Sequence, residues 1–175
     1  ADTRKHQEHR VKRPIRIEGD IAYIPLTKGY EAVVDMQDID LLSPMSWHAR
    51  PDVRSVYAGT KARTQDGRRV TVRMHRLICA APDDMEVDHI NGDGLDNRRA
   101  NLRLATKSQN QHNCRVRADN SSGYKGVVRK KGKWCAQIMA SNKNKHLGCF
   151  NCPTAAHFAY IKASRALHGE FGRIA

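Results

Sequence analysis

Short apolar runs broken by turn residues dominate this chain, and one segment near its C-terminal end carries the 3.6-residue period of an amphipathic helix. Residues 21–26 predict a strand whose Pro25 lies near a sheet edge, and 30–34 predict its hairpin partner across a turn at Lys28-Gly29. Asp35 is placed to cap a short helix over 36–42 that stops at Ser43-Pro44. Residues 47–50 and 55–58 read as strands, 69–73 as another after a turn at Gln65-Asp66-Gly67, and 74–78 as a short helix ending before Pro82. This part predicts a small sheet with charged edges and no evident chemistry of its own.

The next stretch gathers polar chemistry. An apolar run from Met85 ends in Asp88 and His89, and a loop rich in Asn-Gly and Asp-Gly turns follows. Residues 101–104 then read as a second strand, and Thr106 caps a helix that carries Asn110. A linker-like segment, 115–122, leads to three predicted strands over 123–129, 134–140 and 145–150. The helical period begins at Thr154, with a stripe of Ala155, Phe158, Ala159, Ile161, Lys162, Ala166 and Leu167 that stops at Gly169. The expected class is α+β. A basic arm spans 1–16, and a first domain spans 17–114 with its strand–loop–strand–helix core at about 84–114. The linker and a C-terminal domain at 123–175 complete the chain, the latter near the small limit for independent folding.

Charge adds a partner. The formal net charge is +13, and its distribution is uneven: residues 1–16 hold six Lys/Arg against two acids, 17–114 thirteen against fourteen, and 115–175 twelve against two. Excess positive charge at both ends around a balanced middle points to a polyanion, and the N-terminal arm reads equally as a segment that touches phosphates or as a tail of no consequence. Five cysteines, with a single closely spaced pair at Cys149 and Cys152 and no second pair, argue against zinc and predict free thiols in a reducing cytosol. No apolar run approaches membrane-spanning length and no signal peptide is evident, so a cytoplasmic protein, in a bacterial or phage-infected cell, with no membrane partner is expected.

The Asp88–Asn110 stretch suggests phosphodiester cleavage with one hard metal ion. Such cleavage needs an aligned water, a group to take its proton, and positive charge on the phosphate and leaving oxygen. Asp88 supplies a carboxylate ligand and Asn110 an amide oxygen, with Asn113, on the same helix face, as second choice. His89, the next residue along the strand, faces away from Asp88, and a neutral imidazole takes a proton near pH 7. Taken singly, each residue has a plain structural reading. Asn-Gly and Asp-Gly form turns regardless of function, Asn97 is a natural cap, and His75 either hydrogen-bonds in the core, the favoured reading, or touches phosphate.

Val87-Asp88-His89-Ile90-Asn91-Gly92, Leu95-Asp96-Asn97-Arg98 with Asn101-Leu102-Arg103, and Gln109-Asn110 together resemble the HNH endonuclease family, in particular its phage and intron-encoded His-Asn-Asn branch. The resemblance implies a ββα-metal fold, with His89 as general base and Asn101 as the residue that braces the loop and orients it. It further implies Asp88 and Asn110 as ligands of one Mg²⁺ or Mn²⁺ ion, and cleavage that leaves 5′-phosphate and 3′-hydroxyl ends. Arg103 or Arg98 is expected on the scissile phosphate.

The C-terminal segment, with Gly123-Tyr124-Lys125-Gly126-Val127, Lys133-Trp134, Ala136, Ile138, Leu147-Gly148 and Phe150 before an Ala-rich helix, resembles the AP2 DNA-binding domain. That resemblance implies a three-stranded sheet on double-stranded DNA. Lys125, Arg129, Lys131, Lys133, Trp134, Gln137 and His146 are the implied contacts, with Trp134 equally suited to the core of a small sheet. The whole reads as a site-directed, nicking or homing-type DNA endonuclease, monomeric rather than dimeric. The competing class is a non-catalytic DNA-binding protein built on a degenerate finger.

Overall fold

The computed structural model describes residues 14–53 and 55–174. The predicted basic arm therefore lies, up to residue 13, outside the described residues. The molecule is a mixture of small antiparallel sheets and few helices, and the chain divides into two compact units: residues 1–80 with 93–102, and residues 81–92 with 103–175. The strands and helix that flank the 93–102 loop group with the C-terminal segment, and the loop groups with the N-terminal one.

In the first unit, β1 (Arg16–Glu18), β2 (Ile21–Pro25) and β3 (Glu31–Asp35) form an antiparallel sheet in that order. Its inward residues Ala22, Ile24, Ala32 and Val34 are buried while their neighbours are more exposed, which is the period-two pattern of a half-buried sheet. The single helix expected over 36–42 is instead a 3-10 turn, Met36–Asp38, followed by one α turn, α1 (Ile39–Leu42). Asp35 makes no cap there. Its carboxylate accepts from the Arg99 amide at 2.7 Å, so a tertiary partner wins over the local one. A second sheet follows the order β4 (His48–Pro51), β5 (Val56–Arg63), β6 (Arg69–Arg73), and leads into the short helix α2 (Met74–Ile78). His75 is a core residue, set edge-on against Tyr57 with ring centroids 5.6 Å apart.

The 93–102 loop joins this unit through backbone pairing with β3. Val33 donates to the Leu95 carbonyl at 2.8 Å, and Asn97 donates to the Val33 carbonyl at 2.7 Å. Arg99 forms a two-pronged pair with the buried Asp38, at 2.7 to 3.1 Å. Asn97 is fully buried and donates to the Leu95 carbonyl at 3.0 Å. The loop is thus an edge segment of the first sheet, although its sequence reads only as turns.

In the second unit, β7 (Glu86–His89) and β8 (Leu102–Ala105) form a two-stranded sheet, and α3 (Lys107–His112) follows. Thr106 caps α3 as expected, in a reciprocal box: its hydroxyl accepts from Gln109, whose side chain accepts from the Thr106 amide at 2.8 Å. A second sheet has β10 (Lys133–Ala140) between β9 (Val127–Lys130) and β11 (Lys143–Phe150), and α4 (Pro153–His168) lies against it. A register shift between Ala136 and Gln137 breaks the simple alternation of β10, so Cys135 and Ala136 are both buried.

Two expectations fail in this unit. The buried line of α4 is Ala156, Tyr160 and Ser164, spaced by four, while Phe158 is 67% and Leu167 45% exposed. Ala156 packs in the core with Val127 and Ala136, Ser164 lies against Gly172, and the Tyr160 ring covers Gly126, whose φ of +70° and lack of Cβ leave room for it. Free thiols were expected throughout, yet Cys135 and Cys149 are bridged. They lie directly opposite each other in the β10–β11 register, which brings two side chains on adjacent strands within bonding reach. Cys79, Cys114 and Cys152 are free thiols.

Candidate active site

Asp88 and His89 end β7 and are both buried, at 3% and 5% exposure. A carboxylate in that position needs partners, because an unpaired buried charge is costly. Arg103, on the neighbouring strand β8, donates to Asp88 Oδ2 through Nε at 2.9 Å and Nη2 at 2.7 Å. Asn113, at the C-cap of α3, donates through Nδ2 to Asp88 Oδ1 at 2.8 Å. The same Asn113 nitrogen reaches the backbone carbonyls of His89 at 2.8 Å and Ile90 at 3.3 Å, so it ties the helix end to the strand end.

The helix brings the second-choice amide to Asp88. Asn110, the first choice, is directed to Glu86 and donates to its carboxylate. On a helix, residues three apart share a face but not a height, and the end of β7 lies at the level of residue 113. Around β7 the oxygen groups are the carboxylates of Asp88 and Glu86; the amides of Asn110 and Asn113 turn Nδ2 toward them, so an amide oxygen would join a metal only if the side chain flipped. That chemistry suits a hard divalent cation rather than zinc. Among the described residues there is no cluster of three or more His, Cys, Asp or Glu of metal-holding geometry.

After His89 the chain reverses in a tight turn. Gly92 donates to the His89 carbonyl at 2.8 Å with φ of +73°. Glycine suits this backbone conformation, and a Cβ there would push only on the flexible ends of Arg173, 2.7 Å away at Nη1, and Arg115, 3.1 Å away at Nε. Arg115 Nη2 donates to the Gly92 carbonyl at 3.0 Å and Arg173 Nη1 to that of Asn91 at 3.3 Å. These two arginines carry no local motif that would have marked them. They reach the turn from the far side of α3 and from the chain's last residues.

Asn101 and Arg98 belong to the first unit. Asn101 is buried and donates to the Asp96 carbonyl at 2.8 Å, a brace within the loop. Arg98 pairs with Asp96 through Nε at 2.8 Å and Nη2 at 2.7 Å, and this partner raises its pKa further.

The candidate DNA-contacting residues divide. Lys131 and Lys133 are exposed at the β9–β10 turn. Arg129 lies opposite Trp134, with its guanidinium 5.4 Å from the ring centroid, and Trp134 packs its other parts on the core of Val127, Ala136 and Ala156. Gln137 and His146 face each other across β10 and β11. Lys125 is turned inward. Its Nζ donates to the carbonyls of His112 and Cys114, the latter at 2.7 Å, and burial lowers its pKa to about 8.

No helix among the described residues is long and apolar enough to cross a membrane. Residues 72–112 match the family model of HNH endonuclease. Protein 3.8 of Escherichia phage T7 is 31% identical over 94 residues, which make up 53% of this chain and 77% of that protein. No solved structure matches the chain. The chain belongs to the same family as that phage protein and carries an HNH endonuclease domain over residues 72–112.

Proposed function

We propose that the protein is a metal-dependent DNA endonuclease of the nicking or homing type, with His89 as general base and Asp88 as the carboxylate ligand. The observation that carries this reading is the buried Asp88–His89 pair at the end of β7, with Asn113 seated on Asp88. Two neighbouring elements, β8 and α3, both aim polar groups at Asp88.

In this mechanism the His89 imidazole accepts a proton from the attacking water near neutral pH. Asp88 with the amide oxygen of Asn110 or Asn113 would hold one Mg²⁺ or Mn²⁺ ion, which when bound supplies positive charge for the leaving 3′ oxygen. The carbonyl of His89, held by Gly92 and Asn113, fixes the backbone that carries the base. Asn101 keeps the 93–102 loop in shape, and Arg98 offers a half-exposed guanidinium for phosphate. The C-terminal sheet acts as an AP2-like grip on duplex DNA. Lys131, Lys133 and Arg129 meet phosphates there, and Gln137 and His146 are set on adjacent strands.

Supercoiled plasmid with Mg²⁺, beside EDTA and a His89→Ala control, tests the reading. Open circles that require both metal and His89 are the expected product of one site per monomer. Direct linear product would replace the monomer by a dimer. Salt-sensitive DNA binding without cleavage would replace the enzyme by a DNA-binding protein.

A further inference from the structure

The last turn of the chain reaches Arg103. After Gly169, whose φ of +54° ends α4, the chain forms a 3-10 turn, Gly169–Phe171, and runs back toward α3. There the Arg173 amide donates to the His112 carbonyl at 3.4 Å. The Glu170 carbonyl accepts from Arg103 Nη1 at 2.8 Å, and the Arg103 Cζ lies 4.1 Å from the centroid of the Phe171 ring. The Glu170 carboxylate is 4.0 Å away and 75% exposed, so the backbone carbonyl and the ring are the stronger holds. Arg103 is therefore held on all sides, with its side chain 13% exposed, and its other two nitrogens are spent on Asp88 Oδ2.

We propose that Phe171 and the Glu170 carbonyl are positioning groups that hold Arg103 on Asp88 Oδ2 as a resident counter-cation, which competes with a divalent ion for that carboxylate. This deepens the functional reading above and rests on it. Two facts argue for a counter-cation rather than a permanent structural pair. A carboxylate oxygen that receives two guanidinium hydrogen bonds is screened from a second cation. The finger's own strands make the pair, but the contacts that fix the remaining face of Arg103 come from the 3-10 turn, outside those strands and α3. The turn thus links metal loading at Asp88 to the seating of the C-terminal segment.

The sign of the effect separates this from plain scaffolding. If Phe171 holds Arg103 on Asp88, replacing its ring with an aliphatic side chain frees Arg103 and makes the carboxylate easier to claim. Phe171→Leu is then expected to bind Mn²⁺ tighter by about three- to tenfold, the scale of one partly buried cation–π contact, while Phe171→Tyr, which keeps a ring face, matches the unaltered chain. Mn²⁺ alone is titrated by calorimetry into the full chain, into both variants and into Asp88→Asn, with thermal melts on each to show that it folds. Unchanged or weaker Mn²⁺ binding by folded Phe171→Leu overturns the counter-cation role while leaving Asp88 as a ligand. Undiminished binding by Asp88→Asn overturns the metal assignment itself, and the counter-cation role with it.

Discussion

Asn113 and Asp88 meet at 2.8 Å, Nδ2 to Oδ1, at the point where the C-cap of α3 touches the end of β7. The same amide nitrogen holds two backbone carbonyls beyond Asp88, so one side chain closes the strand, the turn and the helix on each other.

From this contact Asn113→Ala is expected to be more damaging than Asn110→Ala. The first leaves a buried carboxylate oxygen and two carbonyls short of a donor, at a cost of about 1–3 kcal/mol. The second loses one pairing with Glu86 on a partly exposed face, about 1 kcal/mol or less. Urea unfolding of the two variants gives the stability order. Plasmid nicking should fall about 10- to 100-fold further in Asn113→Ala, as when a group that orients a ligand is removed. Equal effects in both assays would return Asn110 to the centre of the site.

Lys125 and Lys131 should behave differently on DNA. Lys125 Nζ is engaged with two carbonyls at the C-terminal end of α3 and has a depressed pKa, whereas Lys131 stands on an exposed turn. Lys131→Ala is expected to reduce the salt slope of duplex binding by about one phosphate contact, with stability unchanged. Lys125→Ala should lower stability and leave the slope intact. Binding isotherms at several salt concentrations, with parallel melts, decide the matter. A reduced slope for Lys125→Ala would restore it as a phosphate contact.

How much of this is legible in the sequence depends on range. The capping box of Thr106 and Gln109, the Asn91-Gly92 turn and the strand that ends at Asp88 and His89 are local patterns, and each appears in the structure at its expected place. The partners that hold the 93–102 loop in the first unit and the β7 turn and Arg103 in the second are distant in sequence. Arg99 reaches Asp35 across 64 residues, Arg173 reaches Asn91 across 82, and Arg103 reaches Glu170 across 67. No spacing rule encodes these pairs, because they arise from packing. The α4 stripe is misread for a related reason. Its buried face is chosen by the packing of Ala156 in the core, of Ser164 against Gly172 and of Tyr160 over Gly126, not by hydrophobicity. The Cys135–Cys149 bridge also depends on strand register, which a bulge at Ala136 shifts.

That bridge makes a separate prediction. It closes a loop of sequence separation 14, and constraining such a loop in the unfolded chain is worth about 3 kcal/mol. In a Trp47→Phe background, dithiothreitol, or the double change Cys135→Ala with Cys149→Ala, is expected to lower the midpoint of the unfolding transition followed by the fluorescence of Trp134. Peptide mapping without reductant should recover the cross-linked pair. A midpoint indifferent to reductant, with both thiols titrating as free, would show that the bridge contributes nothing.

His112 and His168 give the pH dependence. Their rings stack with centroids 3.6 Å apart, and burial pushes both pKa values below the ordinary 6.5. Each is lowered further by a neighbouring positive charge, His112 by His168 and Lys125, and His168 by Lys125. Above pH 6.5 the imidazoles are neutral in both the folded and the unfolded chain, and the stack is present in full. As pH falls below that value the unfolded chain takes up protons that the folded chain refuses, so stability declines until the folded pKa values are passed. The urea midpoint is therefore expected to drop between pH 7 and pH 5. His168→Phe, which keeps a ring against His112 but removes one titrating group and its charge, should flatten that decline. A decline of the same steepness in His168→Phe would assign the acid sensitivity to groups other than this pair.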